Sequence, residues 1–178
     1  MKKGIRIISF ASGPIGGKKA LIVGVISREN TIEGILSGSV ETDGFDSAKK
    51  IISLIKKSRF REQIKIVALN GIAIAGLNVV DVYKIKKDLK IGFIILTRKK
   101  PRSTLLIEAL GRSLGKNLNK KIDIVNLVSE EKIHSISGLF LQSNIEIDRT
   151  MADYAFEGLR ISHLIARGVY TGESKGRL

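Results

Sequence analysis

The stretch Lys65-Ile66-Val67-Ala68-Leu69-Asn70-Gly71 constrains this chain most. An unbroken apolar run of this length, closed by an Asn-Gly step, reads as a strand covered on both faces. That is the habit of a central strand in a parallel sheet, not of a sheet with one wet face. Parallel neighbours need crossover connections, so helices are required before and after it. In open α/β sheets the functional groups collect just beyond the carboxyl ends of such strands, which makes Asn70 a candidate site residue. Its amide is neutral and a poor proton carrier; an aspartate would be the natural occupant if the position held a metal or a base. On turn chemistry alone, Asn70 reads equally well as the start of a turn with Gly71.

The flanking sequence supplies the crossovers. Ile5–Phe10 is an apolar, β-branched run that stops at the turn-rich cluster Ala11–Gly17. Gly16-Gly17-Lys18 after a strand invites comparison with a phosphate loop, and the comparison fails. The first glycine of that spacing falls at Ser12, Lys19 stands where Ser or Thr would bind magnesium, and Ala20 onward reads as a strand instead of a helix. Ala20–Ser27 and Thr31–Val40, joined by the polar turn Arg28-Glu29-Asn30, complete an antiparallel meander. Asp46, or a residue just before it, caps a helix with Ala48, Ile51, Ile52 and Ile55 on one face. The central strand, Gln63–Leu69, is followed by a short lysine-rich helical stretch, Val79–Leu89, the buried strand Ile91–Leu96 and the cationic turn Arg98-Lys99-Lys100-Pro101-Arg102.

Ser103 or Thr104 then caps a helix running to about Lys116, with Leu106, Leu110 and Leu114 in register. Ile122–Val128 and Ile133–Leu141 read as β-like additions to an edge. Asp148 caps a last helix, Arg149–Ala166, whose small and apolar side runs through Met151, Ala155, Ser162 and Ala166. Glu157, Arg160, His163 and Arg167 fall on another of its faces, and the tail from Gly172 is too polar and glycine-rich to be helical. The expectation is one α/β domain over 1–178. Antiparallel strands 1, 2 and 3 are followed by parallel strands 4 and 5, with flanking helices, in the order of the ribonuclease H fold.

Composition narrows the function classes. With 178 residues, 43% hydrophobic and 27% charged, the chain has the make-up of a folded globular protein. There is no cysteine, hence no thiolate nucleophile or sulfur-based zinc site, and only His134 and His163 remain for imidazole chemistry. The longest apolar runs fall short of the roughly 20 residues that span a bilayer, and the first residues lack a secretory pattern; a cytoplasmic protein without membrane partners is expected. Lysine and arginine outnumber aspartate and glutamate 31 to 17, a formal charge of +14 that attracts phosphate polyanions. DNA or RNA is therefore the leading partner class, although a solvated lysine-rich surface gives the same count. Oligomeric state is not legible.

Four ordered blocks carry a resemblance. Gly34-Ile35-Leu36-Ser37 with Thr42-Asp43-Gly44, Leu69-Asn70-Gly71-Ile72 with Ala75-Gly76-Leu77-Asn78-Val79-Val80-Asp81, Arg98-Lys99-Lys100-Pro101, and His163-Leu164-Ile165-Ala166-Arg167-Gly168 with Gly172-Glu173-Ser174-Lys175-Gly176-Arg177 resemble a largely archaeal family related to endonuclease V. The resemblance implies a ribonuclease H-like fold in which carboxylates at the ends of the first, third and fourth strands hold the magnesium ions of phosphodiester cleavage. Family members usually keep an aspartate after strand one and another in the Asp-Gly step after strand four. This chain has Ala11 or Ser12 at the first position and Asn70 at the second.

Asp43 alone matches a family carboxylate and is the candidate metal ligand; with Asn70 it forms the candidate catalytic pair, and Glu41 and Asp46 are near it in sequence. Losing two carboxylates removes two negative charges from a site for a cation that prefers charged oxygens. The expected function is a nucleic-acid-binding pseudo-nuclease without a cofactor. An alternative is an active nuclease taking magnesium or manganese through Asp43 and substitute ligands, and a reading from another class is a protein-interaction subunit. Arg98, Lys99, Lys100, Arg102, Arg160, His163, Arg167 and Lys175 are the expected nucleic-acid contacts. Lys56, Lys57, Arg59 and Arg61 form a second basic cluster, placed on the opposite edge, and the 5% aromatic content argues against extensive base stacking.

Overall fold

In the computed structural model, which describes residues 4–113 and 115–175, the central run becomes β4 (Ile64–Asn70), with Val67, Ala68 and Leu69 wholly buried. It lies between β1 (Arg6–Ser12) and β7 (Gly92–Thr97), both parallel to it. On the far side of β1 the meander continues through β2 (Lys19–Arg28) to β3 (Thr31–Glu41), antiparallel throughout. The crossovers are α1 (Ser47–Lys57), between β3 and β4, and α2 (Val82–Leu89), between β4 and β7. The mixed sheet of three antiparallel and then parallel strands is therefore present as expected. Ile133–Leu141, read as one edge piece, is the start of a hairpin, β8 (His134–Ile136) and β9 (Leu139–Ser143), with β9 antiparallel to β7. Its two-residue turn, Ser137-Gly138, has positive φ at both positions, the form that matches strand twist. The seven-stranded order is β3-β2-β1-β4-β7-β9-β8.

Alternate residues of the three parallel strands feed two cores. Ile8, Phe10, Val67, Leu69, Phe93 and Ile95 face α1 and α2, meeting Ile51, Ile55 and Ile85. Ile7, Ile66, Ala68, Ile94 and Leu96 face the last helix, α5 (Arg149–Thr171), through Ala152, Ala155 and Leu159. The approach of α5 to β1 is close. Ser9 Oγ donates to the Ala155 carbonyl and Ser162 Oγ to the Ser9 carbonyl, while a Cβ at Gly158 would lie 2.5 Å from Ser9 Oγ. Asp148 Oδ1 accepts from the Met151 amide at 2.8 Å, the expected cap. The helix runs past Ala166 to Thr171 and ends on Gly172 at φ 81°.

Three expectations need correction. Ile122–Val128 is not a strand; it belongs to α4 (Leu118–Ser129). Its β-branched residues suggest a strand, but Lys121, Ile124, Val125 and Val128 are buried and Leu127 is exposed, a spacing of three and four. The helix before it, α3 (Ser103–Ser113), stops short of Lys116; Leu114 lies outside the described residues, as do Gly176, Arg177 and Leu178 of the tail. Leu110, Ile124 and Val125 pack around Val79 in a separate apolar cluster. The helix expected over Val79–Leu89 starts only at Val82, capped by Asp81, because residues 73–79 form a small hairpin of β5 (Ala73–Ile74) and β6 (Asn78–Val79). No helix among the described residues is long and apolar enough to cross a membrane.

Candidate functional site

Because β1, β4 and β7 are parallel, their carboxyl ends, Ser12, Asn70 and Thr97, share one edge. The β5–β6 hairpin folds over the β1 end of it. At its tip Ala75 and Gly76 have φ of 47° and 82°, and a Cβ at Gly76 would sit 2.2 Å from Asp43 Oδ1, so glycine is needed there for conformation and for space. Ser12 Oγ accepts from the Ala75 amide at 3.0 Å. Asp43, itself at φ 54°, donates its amide to the Ala75 carbonyl at 3.0 Å and accepts the Leu77 amide on Oδ1 at 2.7 Å. Ser12 and Asp43 thus meet on the same hairpin tip, and both of their polar side chains are engaged with its backbone.

Of the neighbouring acids, Asp46 has its carboxylate engaged elsewhere. Asp46 heads α1, but its Oδ1 accepts from Asn78 Nδ2 at 2.8 Å and from the Glu41 amide at 3.1 Å and does not cap the helix. Asn78, wholly buried, also donates to the Glu41 carbonyl at 2.8 Å. Among the described residues, no group of three or more His, Asp or Glu side chains stands together as metal ligands would. A hydroxyl, an amide and one carboxylate already accepting a backbone amide are a poor donor set for magnesium, which favours several charged oxygens in octahedral array; the residues present do not fit a two-metal centre.

Sequence reasoning missed Lys121. This α4 lysine is only 1% exposed, and its Nζ donates to the Asp43 carbonyl at 2.7 Å, fixing the Asp43 turn from below. Burial pushes its pKa below the usual lysine range, with the Asp43 charge pulling the other way. In the Lys120-Lys121 pair nothing marks one residue as buried; the helical register of α4 alone does.

The cationic turn after β7 lies where the sequence places it, beside Asn70, which pairs in register with Leu96. Asn70 and Arg98 line one small cavity, and Gly71 and Arg102 line another on the opposite side of the strand end. The Asn70-Gly71 step is therefore flanked by cations on both sides. Arg98, Lys99, Lys100 and Arg102 are exposed and form no ion pair among the described residues.

The α5 candidates divide. Arg160 is bonded by two nitrogens to Glu157, at 2.8 and 2.6 Å, which neutralises it locally. His163 stands one turn beyond Leu159, which lines the Asn70 cavity. Burial pushes its pKa below the usual histidine value and the Arg167 charge adds to the shift, so the ring is neutral at pH 7. Arg167 and Lys175 are exposed, the latter beyond the helix end.

The model of the family described as endonuclease dU matches residues 3–170. The chain belongs to the endonuclease dU family. A UPF0215 protein of Archaeoglobus fulgidus is 31% identical over 169 residues, covering 90% of this chain and 91% of the relative. The crystal structure of a protein of unknown function from the same organism superposes with a TM-score of 0.79 at 28% identity, over 93% of this chain and 98% of that one. Endonuclease V of Ciona intestinalis, solved with a 24mer DNA containing an inosine followed by a ribo-adenosine, gives a TM-score of 0.50 at 9% identity, over 89% of this chain and 78% of that one; this is a likeness of fold. The resemblance to an archaeal family related to endonuclease V is borne out.

Proposed function

We propose that this endonuclease dU family member binds nucleic acid along the carboxyl edge of its sheet and has lost metal-dependent phosphodiester cleavage. The observation that carries the reading is the Asn70-Gly71 step flanked by exposed cations without ion pairs among the described residues, while Asp43 is bonded to the β5–β6 hairpin. A cluster of carboxylates repels phosphate unless a divalent ion reconciles the two. With neutral Ser12 and Asn70 in those places, arginines and lysines at the edge attract a phosphate chain with no ion required. The DNA-bound state of the Ciona endonuclease V supports the same partner class.

The test is fluorescence anisotropy of labelled single- and double-stranded DNA and RNA across a range of salt, first with magnesium and then with EDTA. We expect log-linear weakening with salt, with a slope of about −0.9 per duplex phosphate neutralised, and no effect of EDTA. Binding that requires magnesium, with strand cleavage abolished by Asp43→Ala, would overturn the reading in favour of an active nuclease. Absence of binding at low salt would overturn it in favour of a protein-interaction subunit.

A further inference from the structure

Among the described residues the seven-stranded sheet ends in two free edges, β3 and β8. A free edge presents unpaired backbone N–H and C=O groups, which invite another strand unless the edge is short, charged, bulged or broken by proline. β8 has that protection: it is three residues long, carries His134 and follows Glu130-Glu131-Lys132. β3 lacks it. The strand runs for 11 residues without proline or lysine, and residues 34–40 bear no charge in a chain of +14. Its one shift in register against β2 falls between the partners of Ile26 and Ser27, near the start of the strand, so residues 34–41 stay regular. Glu33, the acid nearest that run, is held by Arg6 and Arg28 and does not guard the edge.

The strand is also complementary to itself. Gly34, Leu36, Gly38 and Val40 share the face that α1 covers, while Ile35, Ser37 and Ser39 share the other, where Ile35 is 52% exposed. Two copies paired antiparallel about a two-fold axis at Ser37 set Gly34 opposite Val40 and Leu36 opposite Gly38 on the first face, and Ile35 opposite Ser39 on the second. Each large side chain then meets a small one, and the two Ser37 hydroxyls are neighbours at the axis. Moving the axis to Leu36 sets that residue against itself and leaves Gly34 against Gly38. On the α1 face Leu54 and Phe60, both half-buried, come within 3.2 and 2.7 Å of where a Cβ would stand at Gly38 and Gly34. Leu36 and Val40 of the second copy would cover them. Seven paired residues give about seven backbone hydrogen bonds, within the roughly 10 ± 5 of a specific interface.

We infer that the chain forms a two-fold dimer in which β3 pairs antiparallel with β3 of a second copy, centred on Ser37, joining the two sheets into one. β3 runs parallel to β1, β4 and β7, so the axis sends the two carboxyl edges to opposite margins of the joined sheet. The dimer is therefore independent of the nucleic-acid reading and leaves both edges open.

The test is sedimentation equilibrium of the full chain without nucleic acid. We expect the mass to rise with concentration across the micromolar range, from 19.5 kDa towards twice that value. Ser37 is exposed, so Ser37→Lys keeps the fold, read by the urea midpoint, and sets two like charges against each other at the axis; it should stay at 19.5 kDa throughout. Ser135→Lys, on the β8 edge, should dimerise as the parent chain does. Because the chain has no cysteine, Ser37→Cys gives one thiol per copy. Directly opposed residues of antiparallel strands have Cα atoms about 4.5–5.5 Å apart, within disulfide range, so mild oxidation should link two copies through Ser37→Cys and not through Ser135→Cys. A mass of 19.5 kDa at every concentration would overturn the proposal, as would a dimer that survives Ser37→Lys or is linked by Ser135→Cys.

Discussion

Both ends of the parallel strands carry cations, and they differ in what those cations do. At the amino end, Arg6 and Arg28 both pair with Glu33, Arg61 pairs with Glu62 at 2.6 Å, Lys65 Nζ donates to the Glu62 carbonyl, and Arg59 lies 4.9 Å from the Phe60 ring centroid. Lys56 and Lys57 stand in the last turn of α1, where positive charge complements the helix dipole. At the carboxyl end Arg98, Lys99, Lys100 and Arg102 have no acidic partner among the described residues, and Arg98 and Arg102 each line a cavity. A net charge of +14 therefore does not locate a binding surface. Exposed Lys86, Lys87 and Lys90 also lack an ion pair among the described residues and line a cavity at the amino end of β7, so what sets the carboxyl end apart is the Asn70-Gly71 step between two cavities.

The contrast is open to direct attack. Replacing Arg98, Lys99, Lys100 and Arg102 together by glutamine should lower nucleic-acid affinity about a hundredfold and reduce the magnitude of the salt slope by about three to four, since each duplex phosphate contact contributes about 0.9. Glutamine at Lys56, Lys57, Arg59 and Arg61 should change the slope by less than about one. A comparable loss from both sets would erase the distinction.

Gly158→Ala puts a methyl group 2.5 Å from Ser9 Oγ and 2.9 Å from Ser9 Cβ, forcing α5 off β1. Urea unfolding should show a loss of about 1–3 kcal/mol, typical of overpacking. Asp43→Ala removes the acceptor for the Leu77 amide and should cost about 1 kcal/mol, while Asp43→Asn, which keeps an acceptor and tolerates φ 54°, should cost less. Neither should weaken binding in EDTA; a large loss from Asp43→Asn would mean that its charge works at the edge.

The smallest effect concerns His163. Its native pKa lies below the ordinary histidine value of 6.5, so the unfolded chain takes up the proton first as pH falls. The stability that its neutral ring contributes is present above about pH 6.5 and declines as pH drops through the native pKa. Binding should move the opposite way, strengthening slightly as the ring gains charge at the edge. His163→Gln should flatten both dependences, measured by urea midpoints and anisotropy between neutral and mildly acidic pH.

The parallel core was legible because Ile66–Leu69 and Ile91–Leu96 lack polar interruptions, and the meander because Arg28-Glu29-Asn30 is too short for a crossover. The cationic turn was located by its place after β7. What escaped depends on tertiary context. Ile122–Val128 has strand-like residues but a helical burial period that only packing against Val79 and Leu110 exposes. Lys121 is buried by that same packing. The role of Asp43 depends on the β5–β6 hairpin, whose two-residue strands are too short to leave a periodic signal.

The most direct measurement is a backbone amide NMR titration of the protein with a short single-stranded DNA in EDTA. We expect shifts to cluster at Asn70 and Gly71, through Arg98–Ser103 and around His163, with residues 56–63 unmoved. Shifts concentrated at residues 56–63, or none until magnesium is added, would contradict a metal-independent nucleic-acid surface at the carboxyl edge.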